Sequence, residues 1–489
     1  MRHKVAIYKQ RKSGYSKKPP YNPPLIFEEY PFKGDRMSDK GNEAYSSLRE
    51  LFRLMELDLD NFGSAGWNPF GSFILQGQTI LIKPNFMRHF SERSGGVKAL
   101  ITHGSLIRAV MDYAYIALKG KGRIIIADGP MDDGDFEKII SLSGLDKVKE
   151  FYKKTAGFGV EIYDLRQEMV IRKNNDITRK IKLKGDPAGY AIVDMSLKSE
   201  FKKDDTDYGS LSGPAFKPEI LSLHHNKDKN EYLISNTLLN ADVILSLPKM
   251  KTHKRSGVTL ALKNMIGITG DRDWLPHISA CRGSIISGAG VKEGPKFKKI
   301  AVSLLKKCLG WLIMPIIDNL RQFTGITNLC IKRGDWHGNN VIWKTIIDIA
   351  HIVSYADKKG VLRDEKQRKM FVIVDGIIAG EGDGPLNPRI KKCGVLVAGF
   401  NDFLVDVVTS RLMGFDPMKI PKFKKISKDS LHKLCDSDFK ETDCVSNIGD
   451  WDKPLKDIKG KCLGFRPHYG WKNNIEISRN GKNYERIKS

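Results

Sequence analysis

Lysines, histidines and asparagines gather in a few short segments of this sequence, and their types point to the handling of an anion. The densest segment is LPKMKTHKRSGVTLALKNMIG, from Leu247 to Gly267, with Lys249, Lys251, His253, Lys254, Arg255, Lys263 and Asn264. A run of charge is ordinarily a solvated face. Here Lys263 and Asn264 follow the apolar VTLAL, which predicts partial burial. A buried lysine loses its charge unless it finds a partner. Lys263 is therefore a candidate anion clamp, base or Schiff-base nucleophile. His253 and His103 are candidates for moving a proton. With Lys263 they form the catalytic set.

The binding set is wider. Lys83 and Asn85 flank Pro84 in ILIKPN, where a strand runs into a loop. Lys83 either meets an anion or snorkels to solvent; Lys249 and Lys251 either meet an anion or belong to a solvated charge run. Thr102, His103 and Gly104 stand before a helix, whose free N–H groups favour a phosphate or carboxylate. Thr102 reads equally well as a helix cap. Asn264, His277 at the end of GDRDWLPH, and His337 and Asn339 in GDWHGNN complete the set.

Asp128, Asp375, Glu381 and Asp406 supply the acidic side. Two readings of them stay open. They hold a divalent cation such as Mg²⁺ beside a phosphate, or they neutralise the lysines in an ion-pair network. IIAGEGDGP, with Gly380, Gly382 and Gly384, lets backbone come close to a ligand. It is neither a GxxxxGK[ST] loop nor a complete GxGxxG, so no nucleotide follows. His224, His225, His253 and His277 lack HxxxH or HExxH spacing. The seven cysteines are irregularly spaced and contain no CxxC. Reduced thiols in a cytosolic protein are the simplest reading.

Such residues act together only if the fold brings them together. Buried strand patterns at Gln78–Pro84, Gly122–Pro130, Val160–Tyr163, Ala241–Lys249, Lys369–Gly376 and Gly394–Phe400 alternate with helical periodicity at Ser38–Leu57, Ser105–Lys119, Asp135–Lys154, Val341–Ser354 and Asp402–Met413. This order predicts an α/β fold: mostly parallel sheet layers covered by helices, in two lobes with inserted segments. The division is a basic flexible arm over 1–24, a first lobe over 25–163 and a polar, β-rich insert over 164–240. A second lobe over 241–417 carries a basic-apolar insertion at about 283–334, and a basic extension follows over 418–489. In open α/β sheets ligands bind beyond the carboxyl ends of the strands. LIKPN, IADGP, SLPKMKTH and VDG with the glycine-rich loop IIAGEGDGP after it then converge on one region.

Taken in order, ILIKPN, THG, IADGP, ADVILSLPKMKTH, GVTLALKNMIG, GDRDWLPH, GDWHGNNVIWKTIIDI, FVIVDGIIAGEGDGP and GVLVAGFNDFLVDVVTSRLMGFDP resemble the family called "domain of unknown function 362". GDWHGNNVIW and GDRDWLPH resemble its longer branch, which implies bacterial polysaccharide or cell-envelope biosynthesis. The resemblance singles out the site residues above together with Trp336. Some relatives carry ferredoxin-like CxxCxxCxxxCP cysteines; this sequence lacks them, so no iron–sulfur cluster is implied. The family supplies no reaction to transfer.

Composition sets the company the protein keeps. The 489 residues carry a formal net charge of +25, a field that attracts anionic partners. No RRM signature, finger spacing or basic zipper is present, which makes nucleic acid a minor partner through the tails. The N-terminus lacks an apolar signal region, and LGWLIMPII (Leu309–Ile317) is too short to span a bilayer. Preceded by KFKKIAVSLLKKC, it can lie on an anionic membrane surface or be a core helix. The leading expectation is a cytoplasmic enzyme acting on an anionic small molecule or glycan intermediate. The alternative is a non-catalytic assembly protein at the membrane periphery.

Overall fold

The computed structural model describes residues 3–33, 41–91, 96–173, 176–213, 218–279, 334–427, 433–435, 438–459 and 462–477. Its centre is a ten-stranded mixed sheet. The strands are β1 (Lys4–Lys9), β2 (Thr79–Pro84), β3 (Arg123–Asp128), β4 (Val160–Asp164), β5 (Val243–Leu247), β6 (Lys249–His253), β7 (Lys369–Glu381), β8 (Arg389–Gly399) and β9 (Asp443–Ser446), with Gly257–Val258 paired on β6. The order is β9-β1-β8-β7-β5-β2-β3-β4, and β6 lies along the second half of β7. From β4 to β7 every pairing is parallel. Only β8 among the long strands runs the other way.

Parallel strands with helices on both faces must be apolar on both faces. Ile80 and Ile82 of β2 face one core with Ile124, Ile126 and Phe371, under α1 (Glu43–Leu54), α2 (Gly104–Leu118) and α3 (Leu145–Ala156). Leu81 faces the other with Ile125, Ile244 and Val372, under α4 (Leu260–Asn264), α5 (Ile342–Tyr355) and α6 (Asp402–Met413). Local chemistry ends the helices where the sequence indicates. Asn401 caps α6 by accepting from the Leu404 N–H, and Gly414 closes it at φ 93°. Gly144, at φ 70°, splits the Asp135–Lys154 stretch into Phe136–Ser143 and α3.

The α/β class is as expected, but the two expected lobes join edge to edge in one sheet where β2 pairs with β5. The expected flexible arm is partly strand: β1 lies between β8 and β9, and its Val5, Ala6 and Ile7 are buried. The C-terminal extension supplies β9 to the same edge. The polar insert is β-rich, with antiparallel pairs Glu168–Lys173 with Asp176–Lys182 and Tyr190–Asp194 with Glu231–Ser235. Ile377–Glu381, expected as a glycine-rich loop, continues β7 because β6 and β8 pair with it on both sides. All of the basic-apolar insertion but Gly334 lies outside the described residues. Among the described residues, no helix is long and apolar enough to cross a membrane.

Candidate functional site

Because β2, β3, β5 and β7 are parallel, Lys83, Asp128, Lys249 and Asp375 emerge at one rim of the sheet. They form a buried floor. Lys83 Nζ donates to Asp128 Oδ1 at 2.5 Å and to the carbonyls of Pro84 and Asn264 at 3.0 and 3.2 Å. Asp128 Oδ2 accepts from the Phe86 N–H at 2.6 Å. Burial pushes Lys83 down and Asp128 up, each toward its neutral form, and their mutual contact opposes both effects. Lys249 Nζ sits 3.0 Å from Asp375 Oδ2 and 2.7 Å from the Tyr15 hydroxyl, which donates to Asp375 Oδ1 at 2.5 Å. Lys251 Nζ donates to Asn85 Oδ1 and to the Leu100 carbonyl, both at 2.6 Å. Burial, then its neighbours Lys249 and Lys263, hold Lys251 well below the ordinary lysine range. All three lysines have no exposed surface.

Above this floor lies a cavity of about 110 Å³, lined among others by Asn85, Asp128, His253, Arg255, Thr259, Lys263, Asn264, Arg272 and His277. Four cations reach it. Lys254 and Arg255 share Asp335, each at 3.0 Å. Lys263 and Arg272 have no carboxylate within ion-pair distance among the described residues. Among the described residues Arg272 donates to the Gly129 carbonyl at 2.8 Å and the Met131 sulfur at 3.1 Å. Burial, followed by the charges of Arg272, Lys422, Arg255 and Lys83, brings the Lys263 ammonium down to about 7. Among the described residues Asp128 is the one carboxylate in the lining, and it is already paired with Lys83. The lining therefore carries more cationic than anionic groups; Asp132, Asp128 and Asp133 act on Arg272 only from beyond ion-pair distance, so an anion entering meets little direct competition.

The two imidazoles of the lining are fixed in opposite tautomers. His253 Nδ1 accepts the N–H groups of Arg255 and Ser256 at 3.0 and 3.2 Å, so its hydrogen is on Nε2. His277 Nδ1 donates to the Leu275 carbonyl at 2.9 Å, so its Nε2 is an acceptor. Burial, then the Lys263 charge, holds both well below the ordinary histidine range. Thr259, 4% exposed, lines the cavity, and its hydroxyl has no hydrogen-bond partner among the described residues. Buried hydroxyls are rarely left so.

Other candidates are placed elsewhere, and each has a local reason. His103 caps α2: its Nδ1 accepts from the Ser105 N–H at 3.2 Å, and its ring stacks on Tyr15 at 4.0 Å. It does not line the cavity, so the proton-transfer role expected of it is withdrawn. Thr102 is buried, and its hydroxyl joins two strand ends by donating to the Leu247 carbonyl at 2.6 Å and accepting from the Asn85 N–H at 2.9 Å. Lys83, Lys249 and Lys251 support the cavity from beneath and, being fully buried, do not grip a ligand themselves. Asn85 and Asn264 line the cavity and bond each other at 3.0 Å. Asn339 caps α5, accepting from Val341 and Ile342 N–H at 2.9 and 3.1 Å. With His337 it lines a separate cleft of about 890 Å³.

The four expected metal ligands do not converge. Asp128 and Asp375 are held by lysines. Glu381 pairs with Lys391 and Arg466, each at 3.1 Å. Asp406 accepts the Ala261 and Leu262 N–H groups at 2.6 and 3.1 Å, capping α4. Among the described residues no three His, Cys, Asp or Glu side chains gather to hold a metal ion. Asp128, Asp375 and Glu381 each lie in an ion pair, and Asp406 accepts two backbone N–H groups instead. Sequence reasoning did not select Arg272, Arg255 and Thr259. GDRDWLPH contains Arg272, so the motif was visible while its unpaired charge was not. Tyr15, from the expected arm, was not foreseen as part of the floor.

Residues 215–411 match the model of the family described as "Domain of unknown function (DUF362)". The matched stretch contains Lys249 to His277 and β7. A "thylakoid-associated protein" of Synechocystis sp. is 22% identical over 193 residues, which is 39% of this chain and 39% of that protein. The chain thus spans well under half the length of that curated relative. No solved structure matches the chain.

Proposed function

On the premise that the chain carries a DUF362 domain over residues 215–411, we propose that it is a cytoplasmic enzyme acting on a small anionic substrate, bearing a phosphate or carboxylate, in cell-envelope polysaccharide or related biosynthesis. One observation carries the reading. Arg272 brings a positive charge, and Lys263 an amine held near 7, to a partly buried cavity, neither with a carboxylate within ion-pair distance among the described residues. Donors aimed at an anion from such a site are worth far more than in water. Arg272 clamps the anionic group, the Thr259 hydroxyl and His253 Nε2–H donate to it, and Lys263 or His277 moves a proton.

The test is anion binding to the full chain by calorimetry and thermal shift, with inorganic phosphate and L-lactate as probes. At least one probe binds the parent. Lys263→Ala and Arg272→Met each weaken that binding roughly tenfold or more, the loss expected of a charge-assisted hydrogen bond worth about 1.5–3 kcal/mol. Equal binding by parent and both variants defeats the assignment. A contact with an anionic membrane is the second reading, favoured by the thylakoid association in the relative's name. Flotation with vesicles containing anionic lipid tests it, and no binding at low salt removes it.

A further inference from the structure

We propose that the substrate is a two- or three-carbon 2-oxo acid and that Lys263 holds it as an imine. This rests on the anion-site reading above and specifies its ligand. Three features of the cavity carry it.

First comes size. At about 110 Å³ the cavity is far below the roughly 300–1,000 Å³ of sites for drug-sized ligands. A phosphate or a short acid fits it; a sugar nucleotide does not.

Second is the division of labour in the lining. An oxo acid presents a carboxylate, a carbonyl carbon and a carbonyl oxygen. Arg272 is a guanidinium without a carboxylate partner among the described residues, suited to the carboxylate. Lys263 is an amine crowded by Arg272, Arg255, Lys422 and Lys83, surroundings that favour the uncharged nucleophilic form. His253 offers an N–H, and His277 offers a lone pair. A simple phosphate site needs donors alone. A fully ionised phosphate offers no proton to the acceptor at His277, whereas an amine adding to a carbonyl does.

Third is the apolar remainder. Met87, Met131, Ile266 and Leu386 line the same space, and a water-poor wall favours loss of water from the adduct.

The step balances without an oxidant or further reactant. The Lys263 nitrogen adds to the carbonyl carbon as the C–O π bond breaks. His277 Nε2 takes a proton from nitrogen, and His253 Nε2–H stabilises the oxygen. The oxygen leaves as water with the two protons lost from nitrogen, and the C=N bond forms.

The experiment treats the full chain with pyruvate or glyoxylate and cyanoborohydride, followed by intact mass and peptide mapping. The result expected is one reduced adduct per chain, on Lys263, suppressed by excess inorganic phosphate. Lys263→Arg abolishes the adduct while its cooperative thermal unfolding without ligand shows that the variant is folded. No adduct with either acid, adducts spread over other lysines with Lys263 unmodified, or equal labelling in Lys263→Arg would overturn the imine. In those cases a persisting thermal shift with phosphate or L-lactate leaves the anion site standing, and its absence removes both.

Discussion

At the scale of single residues, the site is built by leaving Lys263 and Arg272 without carboxylate partners among the described residues while pairing other cations around them. Lys263 sits near 7 against an ordinary 10.5. Between those values the unfolded chain binds a proton that the folded chain does not, so stability rises with pH through that window. Below about pH 7 the folded protein carries the full cost of burying the ammonium. Lys263→Met is accordingly more stable than the parent at pH 6, on the order of 1 kcal/mol or more, since each tenfold weakening of proton binding is worth about 1.4 kcal/mol. The gain shrinks from pH 7 toward 10.5. Urea denaturation at pH 6 and pH 9 checks it, and a constant difference contradicts it. Asp128 has the opposite standing. Asp128→Asn leaves Lys83 buried without its counter-ion, which costs about 3–5 kcal/mol. Denaturant titration reads that loss directly. The residue types for an anion were legible from VTLALKN and KMKTHKR. Which lysines would be buried and neutralised was not, because pairing is set by strands far apart in sequence: Lys83 meets Asp128, and Lys249 meets Asp375.

At the scale of elements, capping explains two of the candidates that lie away from the cavity. A histidine and an acid before or beside a helix have the same composition whether they bind a ligand or the helix itself. His103 serves α2 and Asp406 serves α4. His103→Asn retains a good cap and leaves anion binding unchanged. His103→Ala costs about 1 kcal/mol and also leaves it unchanged. A tenfold loss of binding in His103→Asn would restore His103 to the site. Asp406→Ala is different, since α4 carries Lys263. Loss of its cap costs about 0.5–2 kcal/mol and weakens anion binding as well, readable by thermal shift and calorimetry on one sample. The strands were legible because apolar runs bounded by Gly, Pro or polar loops admit few alternatives. β7 ran longer than its pattern because pairing on both sides accommodates Gly376 and Gly380.

At the scale of the whole molecule, the chain returns to its own beginning. β1 is inserted between β8 and β9, and Tyr15 reaches the Lys249–Asp375 pair. Basic composition alone reads as a loose arm, since VAIY is too short to be distinctive; only its two neighbours make it a strand. Deletion of residues 1–10 exposes the edge of β8 and separates β9 from the sheet. Limited proteolysis is expected to cut the truncated chain far faster than the parent, and equal resistance would contradict the placement of β1. The net charge of +25 draws anions to the molecule generally, whereas the rim selects where one is held.

Diffraction from crystals of the full chain soaked in selenate tests that selection most directly. The prediction is an anomalous peak inside the cavity, within hydrogen-bond reach of Lys263 Nζ and the Arg272 guanidinium. Peaks confined to surface lysines, with the cavity empty at the same selenate concentration, would contradict it.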